Sequence, residues 1–104
     1  MLLVRTVYEI TKSFPNEEIF GLTSQIRRSA VSVPSNIAEG AGRTGKKDFA
    51  RFLDIAQGSL SELETQLLIA VDLGYLEADH SVFGLSNVVG KLISGLHRSV
   101  SRQQ

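Results

Sequence analysis

The sequence predicts an all-α protein, an antiparallel four-helix bundle whose helices run up, down, up and down. Apolar residues recur at three- and four-residue steps in four separate segments, which is the spacing of one helix face. No segment alternates apolar and polar residues with a period of two, so strands are not indicated. The segments are joined by short connections, which favour antiparallel neighbours. We therefore expect one domain over residues 1–104, with helices at about 1–13, 17–40, 46–74 and 80–100.

The first predicted helix is shorter than the other three. Its apolar face is formed by Leu3, Val7, Ile10 and Phe14. Pro15 follows directly and ends the helix, because proline lacks the backbone N–H that a continuing helix needs. A short first helix leaves apolar surface on its partners uncovered. Small, uneven bundles often complete their core by forming oligomers.

The second predicted helix begins near Asn16, a candidate N-cap, and ends near Gly40 and Gly42, which can adopt left-handed C-terminal conformations. Its apolar face is formed by Ile19, Leu22, Ile26, Ala30, Val33 and Ile37. Pro34 lies within this segment. We expect one kinked helix there, since the apolar stripe continues in phase past the proline; the alternative is two helices that meet near Pro34.

The third predicted helix has the longest apolar face and is closed by Gly74. That face is formed by Phe49, Phe52, Leu53, Ala56, Leu60, Leu63, Leu67 and Ala70. Asp79 or Ser81 opens the fourth helix, whose face is formed by Val82, Leu85, Val89, Leu92 and Leu96. Five further apolar residues either widen the core or form a second apolar surface: Val31, Ile55, Ile69, Phe83 and Ile93.

The charges of the chain are segregated, although the formal net charge is zero. Residues 25–52 contain six cations and two carboxylates, whereas residues 53–80 contain six carboxylates and neither lysine nor arginine. Such blocks are either solvated helix faces or surfaces for polyanions or for an oppositely charged subunit. The candidate nucleic-acid-binding residues are the six cations Arg27, Arg28, Arg43, Lys46, Lys47 and Arg51.

A second group of polar residues is predicted to be structural. Asn36 lies near the apolar seam of the second helix, where a polar side chain can specify register and oligomeric state. Glu39 is spaced to pair with Arg43 on the same helix. With Gln25 they form a candidate polar network. The alternative is an edge of the helix that faces RNA.

The loop from Gly40 to Lys47 resembles a phosphate-binding motif without meeting its requirements. A lysine at position 47 replaces the Ser or Thr that would bind magnesium, and a predicted helix, not a strand, precedes the loop. His80 and His97 are isolated along their helices, so no metal site is indicated. We therefore predict no cofactor and no enzymatic activity.

Composition adds two further expectations. The chain has no cysteine, which excludes disulfides and thiolate metal sites. It has no apolar run approaching the roughly 20 residues that span a bilayer, and no secretory signal pattern. We expect a cytoplasmic protein that makes no membrane contact.

Two long segments carry a family resemblance. GLTSQIRRSAVSVPSNIAEGAGR at residues 21–43 and FARFLDIAQGSLSELETQLLIAVDLGYL at residues 49–76, with TKSFPNEE ahead of them, resemble the proteins encoded in intervening sequences of bacterial 23S rRNA genes. The resemblance implies a four-helix bundle that assembles as a ring, typically a homopentamer. Members usually begin with a further segment before the position of Met1, which implies a shortened first helix here.

The same resemblance extends to an accessory protein of diversity-generating retroelements, a similar ring that works with a reverse transcriptase and RNA. It implies that the partners of this chain are other copies of itself, RNA or DNA, and a reverse transcriptase or another protein. We predict a non-enzymatic homo-oligomer that binds nucleic acid through the basic residues. The alternative is a protein-binding scaffold or accessory subunit that binds no nucleic acid.

Overall fold

The computed structural model describes residues 1–102, and all regular structure in this range is helical. The four α-helices are α1 (Leu2–Thr11), α2 (Leu22–Ala41), α3 (Lys46–Asp72) and α4 (Val82–Arg102), with a 3-10 turn at Asn16–Glu18. They form a rod of 46 × 25 × 19 Å. The predicted all-α four-helix bundle with a short first helix is confirmed.

Contacts between helices establish the antiparallel order. Ser29 and Ser32 on α2 meet Gln66 and Ser59 on α3, so residue numbers rise on one helix as they fall on the other. The same is true of α3 and α4, where Asp54 meets His97 and Gln57 meets Ser94. Helix α1 packs on α2 and α4, which closes the bundle.

The core follows the predicted faces of α1 and α3 closely. The four residues predicted for the first apolar face are buried, three on α1 and Phe14 just after it, and so is the predicted face of α3 except for half-buried Phe49. Strict three- and four-residue spacing leaves only one way to turn such a helix toward its neighbours. Three of the five off-face apolar residues, Val31, Ile55 and Ile69, are exposed, whereas Ile93 is buried and Phe83 packs against the core.

The predicted face of α4 is partly wrong. Leu92 and Leu96 are exposed, and the buried residues besides Val82 and Val89 are Ser86, Ile93 and Val100. The first four of these positions follow three- and four-residue steps like the predicted set, and Val100 lies two turns further along the same side. The helix is therefore rotated toward a face that includes a small serine, which hydrophobicity alone does not select.

The predicted start of α2 is also wrong. The helix begins at Leu22, with Gly21 as its N-cap, and the predicted core residue Ile19 lies exposed ahead of it. Residues 16–18 form the 3-10 turn, and the Glu18 carboxylate accepts a hydrogen bond from the Leu22 N–H at 3.3 Å. The cap therefore comes from a carboxylate of the turn and not from Asn16. Pro34 lies within one continuous helix, as expected.

Two other helix ends differ from the prediction. His80 accepts the Val82 N–H at 3.0 Å, so it caps α4 in place of Asp79 or Ser81. Gly42 ends α2 in a right-handed conformation with φ of −81°. Gly40 is needed for packing instead, because a Cβ there would lie 2.7 Å from the Phe52 Cβ. Gly74 alone among residues 1–102 has a positive φ, 82°, and it ends α3 as predicted.

Candidate nucleic-acid interface

The six predicted cations fall into two separate groups. Arg27 and Arg28 lie in the second turn of α2, while Arg43 follows the end of the same helix. Sixteen residues separate Arg27 from Arg43, which corresponds to about 24 Å along a helix. Arg43 lies instead beside the start of α3 and its three cations. We name Arg43, Lys46, Lys47 and Arg51 the basic end.

Arg27 contacts residues of a neighbouring helix and so helps to hold the fold together. Its Nε donates to the Thr11 Oγ1 at 2.8 Å, and its guanidinium lies 4.7 Å from the centre of the Tyr8 ring. These contacts tie α1 to α2, because Thr11 and Tyr8 both belong to α1. Arg28 is exposed, and both arginines line an open groove of about 540 Å³ beside Val31.

Two arginines of the basic end, Arg43 and Arg51, lie beside one buried aromatic ring. The Arg43 guanidinium lies 5.1 Å from the centre of the Phe52 ring, and the Arg51 guanidinium lies 4.5 Å from it. Phe52 itself is buried, whereas both arginines are exposed. A guanidinium near an aromatic ring is attracted by the electrons of the ring. Phe52 therefore holds two cations close together at the surface.

Carboxylates balance part of this charge. Glu39 pairs with Arg43 at 2.6 Å, as predicted, and Asp48 lies 4.0 Å from Arg51. Both pairs are solvent-exposed, and exposed pairs contribute roughly 0–1 kcal/mol. Lys46 and Lys47 form no ion pair with any residue in the range 1–102. Four cations against two carboxylates leave the basic end with an excess of two positive charges.

The opposite end of the bundle is acidic. The connection between α1 and α2 meets the connection between α3 and α4 there, because the Phe14 and Tyr75 rings lie 5.4 Å apart. The Tyr75 hydroxyl also donates to Glu18 at 3.0 Å, and this hydrogen bond raises the pKa of Tyr75 above its ordinary value. Folding thus brings Glu17 and Glu18 next to the last carboxylates of the acidic block, which the sequence places in residues 53–80. We name this group the acidic end: Glu17, Glu18, Asp72, Glu77 and Asp79.

A polar network connects α2 to α3. Asn36 donates to the Ser32 Oγ at 2.9 Å, and Ser32 lies 2.8 Å from the Ser59 Oγ. One turn earlier on α2, buried Ser29 donates to Gln66 at 2.9 Å. Asn36 belongs to this network, whereas Glu39 pairs with Arg43. Exposed Gln25 forms no side-chain hydrogen bond within residues 1–102.

The sequence did not reveal the α3 partners in this network. Ser59 and Gln66 read as polar residues of a helix surface, and only the packing of α2 on α3 brings them to Ser32 and Ser29. His97 was missed in the same way. It lies 3.1 Å from Asp54 across the α3–α4 contact, where spacing along one helix cannot show it.

The described residues contain no group of three His, Cys, Asp or Glu side chains that could hold a metal ion. Within the same range, no helix combines the length and apolar character that crossing a bilayer requires. The fold and the charge distribution define a small helical-bundle protein with one basic and one acidic end.

The sequence model of the 23S rRNA-intervening sequence proteins matches residues 1–95, and the chain therefore belongs to this family. The resemblance carried by residues 21–43 and 49–76 is thereby confirmed. No curated protein matches the chain.

Proposed function

We propose that this protein is a non-enzymatic, cytoplasmic assembly protein that binds RNA or DNA phosphates through its basic end. The observation that supports this most directly is the pair of exposed guanidiniums that lie 5.1 and 4.5 Å from the centre of the Phe52 ring. Lys46 and Lys47 lie next to them with no ion-pair partner among residues 1–102. Cations that are already close together need less ordering to contact successive phosphates.

The geometry favours backbone contact over base reading. Phe52 is buried and Phe49 is half-buried, so neither offers an exposed ring on which a base could stack. Contacts to phosphates carry no sequence information, and their strength falls as salt rises. We therefore expect sequence-tolerant, salt-sensitive binding.

We also propose that the protein forms a homo-oligomeric ring, with the pentamer as the expected state. Exposed apolar side chains on α3 and α4 support self-association. Cyclic symmetry would bring every basic end to the same rim of the ring. Weak contacts from several subunits would then act together on one nucleic-acid strand.

The test is a titration of single-stranded RNA, at two salt concentrations, with the variant Lys46→Ala/Lys47→Ala. The matched control is Arg5→Ala/Lys12→Ala, which removes two exposed cations, one on α1 and one directly after it. We expect the basic-end variant to lose affinity at low salt and the control to retain it. Loss of two phosphate contacts lowers the slope of log K against log salt by roughly 1.4 for a single strand. Equal effects of the two variants, or no binding by the wild type at low salt, would refute the proposal.

A second candidate function is a protein-binding scaffold or accessory subunit, for example of a reverse transcriptase, that binds no nucleic acid. The half-exposed Val88, Leu92 and Leu96 on α4 favour it, since exposed apolar stripes are typical of protein contacts. It predicts an oligomer that is stable without nucleic acid and that fails to bind RNA at low salt.

A further inference from the structure

The outer side of α4 presents an uncovered apolar stripe. Val88, Leu92 and Leu96 follow each other at four-residue steps and are 54%, 67% and 38% exposed. The exposed cations Lys91 and Arg98 both lie on one side of the stripe, along the groove between α4 and α3, and α4 contains no carboxylate. Neither cation forms an ion pair within residues 1–102. We name these five residues the α4 face.

A second uncovered apolar patch lies on α3. Leu68, Ile69 and Leu73, the last being the residue that ends the helix, are 60%, 45% and 50% exposed. The exposed carboxylates Glu62 and Asp72 flank them, and residues 55–72 include neither lysine nor arginine. Ile69 lies about 200° around the helix from buried Leu67, so the patch faces away from the core. We name these five residues the α3 face.

We infer that the α4 face of one subunit docks on the α3 face of the next subunit. Each face has three half-exposed apolar side chains, which would bury one another and leave water. The two faces carry opposite charges, so Lys91 and Arg98 would meet Glu62 and Asp72 across the contact. Two like α4 faces would instead bring cations against cations. A second copy of this chain is therefore the occupant that fits each face.

Contact between two different faces has a consequence for symmetry. Each subunit donates one face and receives the other, so every bound copy leaves a free face for the next one. Such a contact closes into a ring when the rotation between subunits closes. This inference rests on the self-assembly proposed above and assigns the surfaces that carry it.

The test uses two single variants that each disable one face. Leu92→Glu places a carboxylate in the α4 face, and Ile69→Glu places one in the α3 face. We expect light scattering to give the monomer mass of about 11.3 kDa for each variant alone. An equimolar mixture should give a 1:1 dimer of twice that mass, because one intact face of each kind remains. Circular dichroism should show a helical, cooperatively unfolding protein in every sample.

Thr44→Glu is the matched control, since it adds the same charge to an exposed position between α2 and α3, apart from both faces. This variant should keep the wild-type mass. A monomeric wild type, wild-type mass for Leu92→Glu, or a mixture that stays monomeric would each overturn the inference.

The RNA titration of the wild type is independent of this result. If RNA does not bind but the mass pattern holds, the nucleic-acid function fails and the contact stands.

Discussion

At the acidic end, two side-chain contacts join two connections that lie far apart in sequence, whereas at the basic end a single connection leads directly from α2 to α3. Phe14 and Glu18 meet Tyr75 across the acidic end, and the adjoining helices are capped by Glu18 and His80. At the basic end the chain turns from α2 to α3 with every residue from Ala41 to Asp48 exposed. Hydrogen bonds between side chains and backbone fix the acidic end, whereas the basic end is fixed mainly by the short connection between α2 and α3.

The two ends of the bundle differ in what their side chains contact. At the acidic end, Glu18, Tyr75 and His80 make internal hydrogen bonds, whereas the carboxylates Glu17, Asp72, Glu77 and Asp79 are exposed. At the basic end the cations are exposed, and they are held by the Phe52 ring and by the exposed ion pairs of Arg43 and Arg51, with Gly40 allowing the helices to approach. Mutations at the acidic end should therefore change stability, and those at the basic end should change both stability and RNA binding.

Gly40→Ala should have the largest effect on stability. The added methyl would lie 2.7 Å from the Phe52 Cβ and 3.0 Å from the Phe49 ring, so α2 and α3 must separate. Overpacking of this kind costs roughly 1–3 kcal/mol. Urea denaturation should show that loss in the free energy of unfolding.

Gly58→Ala is the matched control for this change. It lies in the interior of α3 with nothing within 4 Å of an added Cβ. Alanine is favoured over glycine in a helix by about 1 kcal/mol, so this variant should be more stable than the wild type. If Gly40→Ala is also stabilising, α2 and α3 do not approach each other at Gly40 as closely as described.

Phe52→Leu should have the second-largest effect on stability. Leucine keeps most of the buried apolar volume, so the loss of stability should stay below about 1.5 kcal/mol. Without the ring, the two guanidiniums that lie 5.1 and 4.5 Å from it lose their common support. RNA affinity should fall, while the salt slope stays nearly unchanged because every cation remains. Leu53→Met provides a control at the adjacent buried position; unchanged affinity in Phe52→Leu would exclude a positioning role for the ring.

His80→Ala should cost about 1 kcal/mol, the usual value of a lost N-cap. The ring accepts the Val82 N–H, which would then have no side-chain partner at the start of α4. Ser81→Ala removes a neighbouring exposed hydroxyl and should be nearly neutral. Thermal unfolding of both variants measures the difference. If Ser81→Ala loses more stability than His80→Ala, then Ser81 and not His80 is the N-cap of α4.

Tyr75→Phe should have the smallest effect, and that effect should depend on pH. The hydrogen bond to Glu18 raises the pKa of the Tyr75 hydroxyl above its ordinary value near 10. A group whose pKa is raised on folding stabilises the protein below its unfolded pKa and loses that contribution as the pH rises through its folded pKa. The wild type should therefore exceed Tyr75→Phe in stability at neutral pH, and the difference should vanish at strongly alkaline pH.

Tyr8→Phe is the control for this pH dependence, since the Tyr8 hydroxyl forms no hydrogen bond within residues 1–102. A difference between wild type and Tyr75→Phe that grows above pH 10 would contradict the assignment.

Much of the fold could be predicted from the sequence because α1 and α3 are strictly periodic. The face from Leu53 to Ala70 has one apolar side, and burying it requires a partner helix on that side. Helix α4 was less predictable because it is apolar on two sides. Ile93 and Leu92 are adjacent and equally hydrophobic in type, yet one is buried and the other exposed. The positions of α3 and α1 around α4 decide which of the two is buried.

The candidate interface was predictable in part for a similar reason. Cations near the turn between α2 and α3 lie together because they are close in sequence. Arg27 was grouped with them because a count of charges carries no direction, and its contacts with Thr11 and Tyr8 depend on how α1 packs.

The sequence by itself determined four amphipathic helices, their antiparallel order and a basic turn between the second and third. Spacing, turn residues and connection length are local properties, so they can be read along the chain. Tertiary structure alone decided the contacts made between helices: Ser29 with Gln66, the joining of Glu18 to Tyr75, and the rotation of α4 that leaves Leu92 at the surface. These contacts depend on distances across the bundle, and neighbours in space need not be neighbours in sequence.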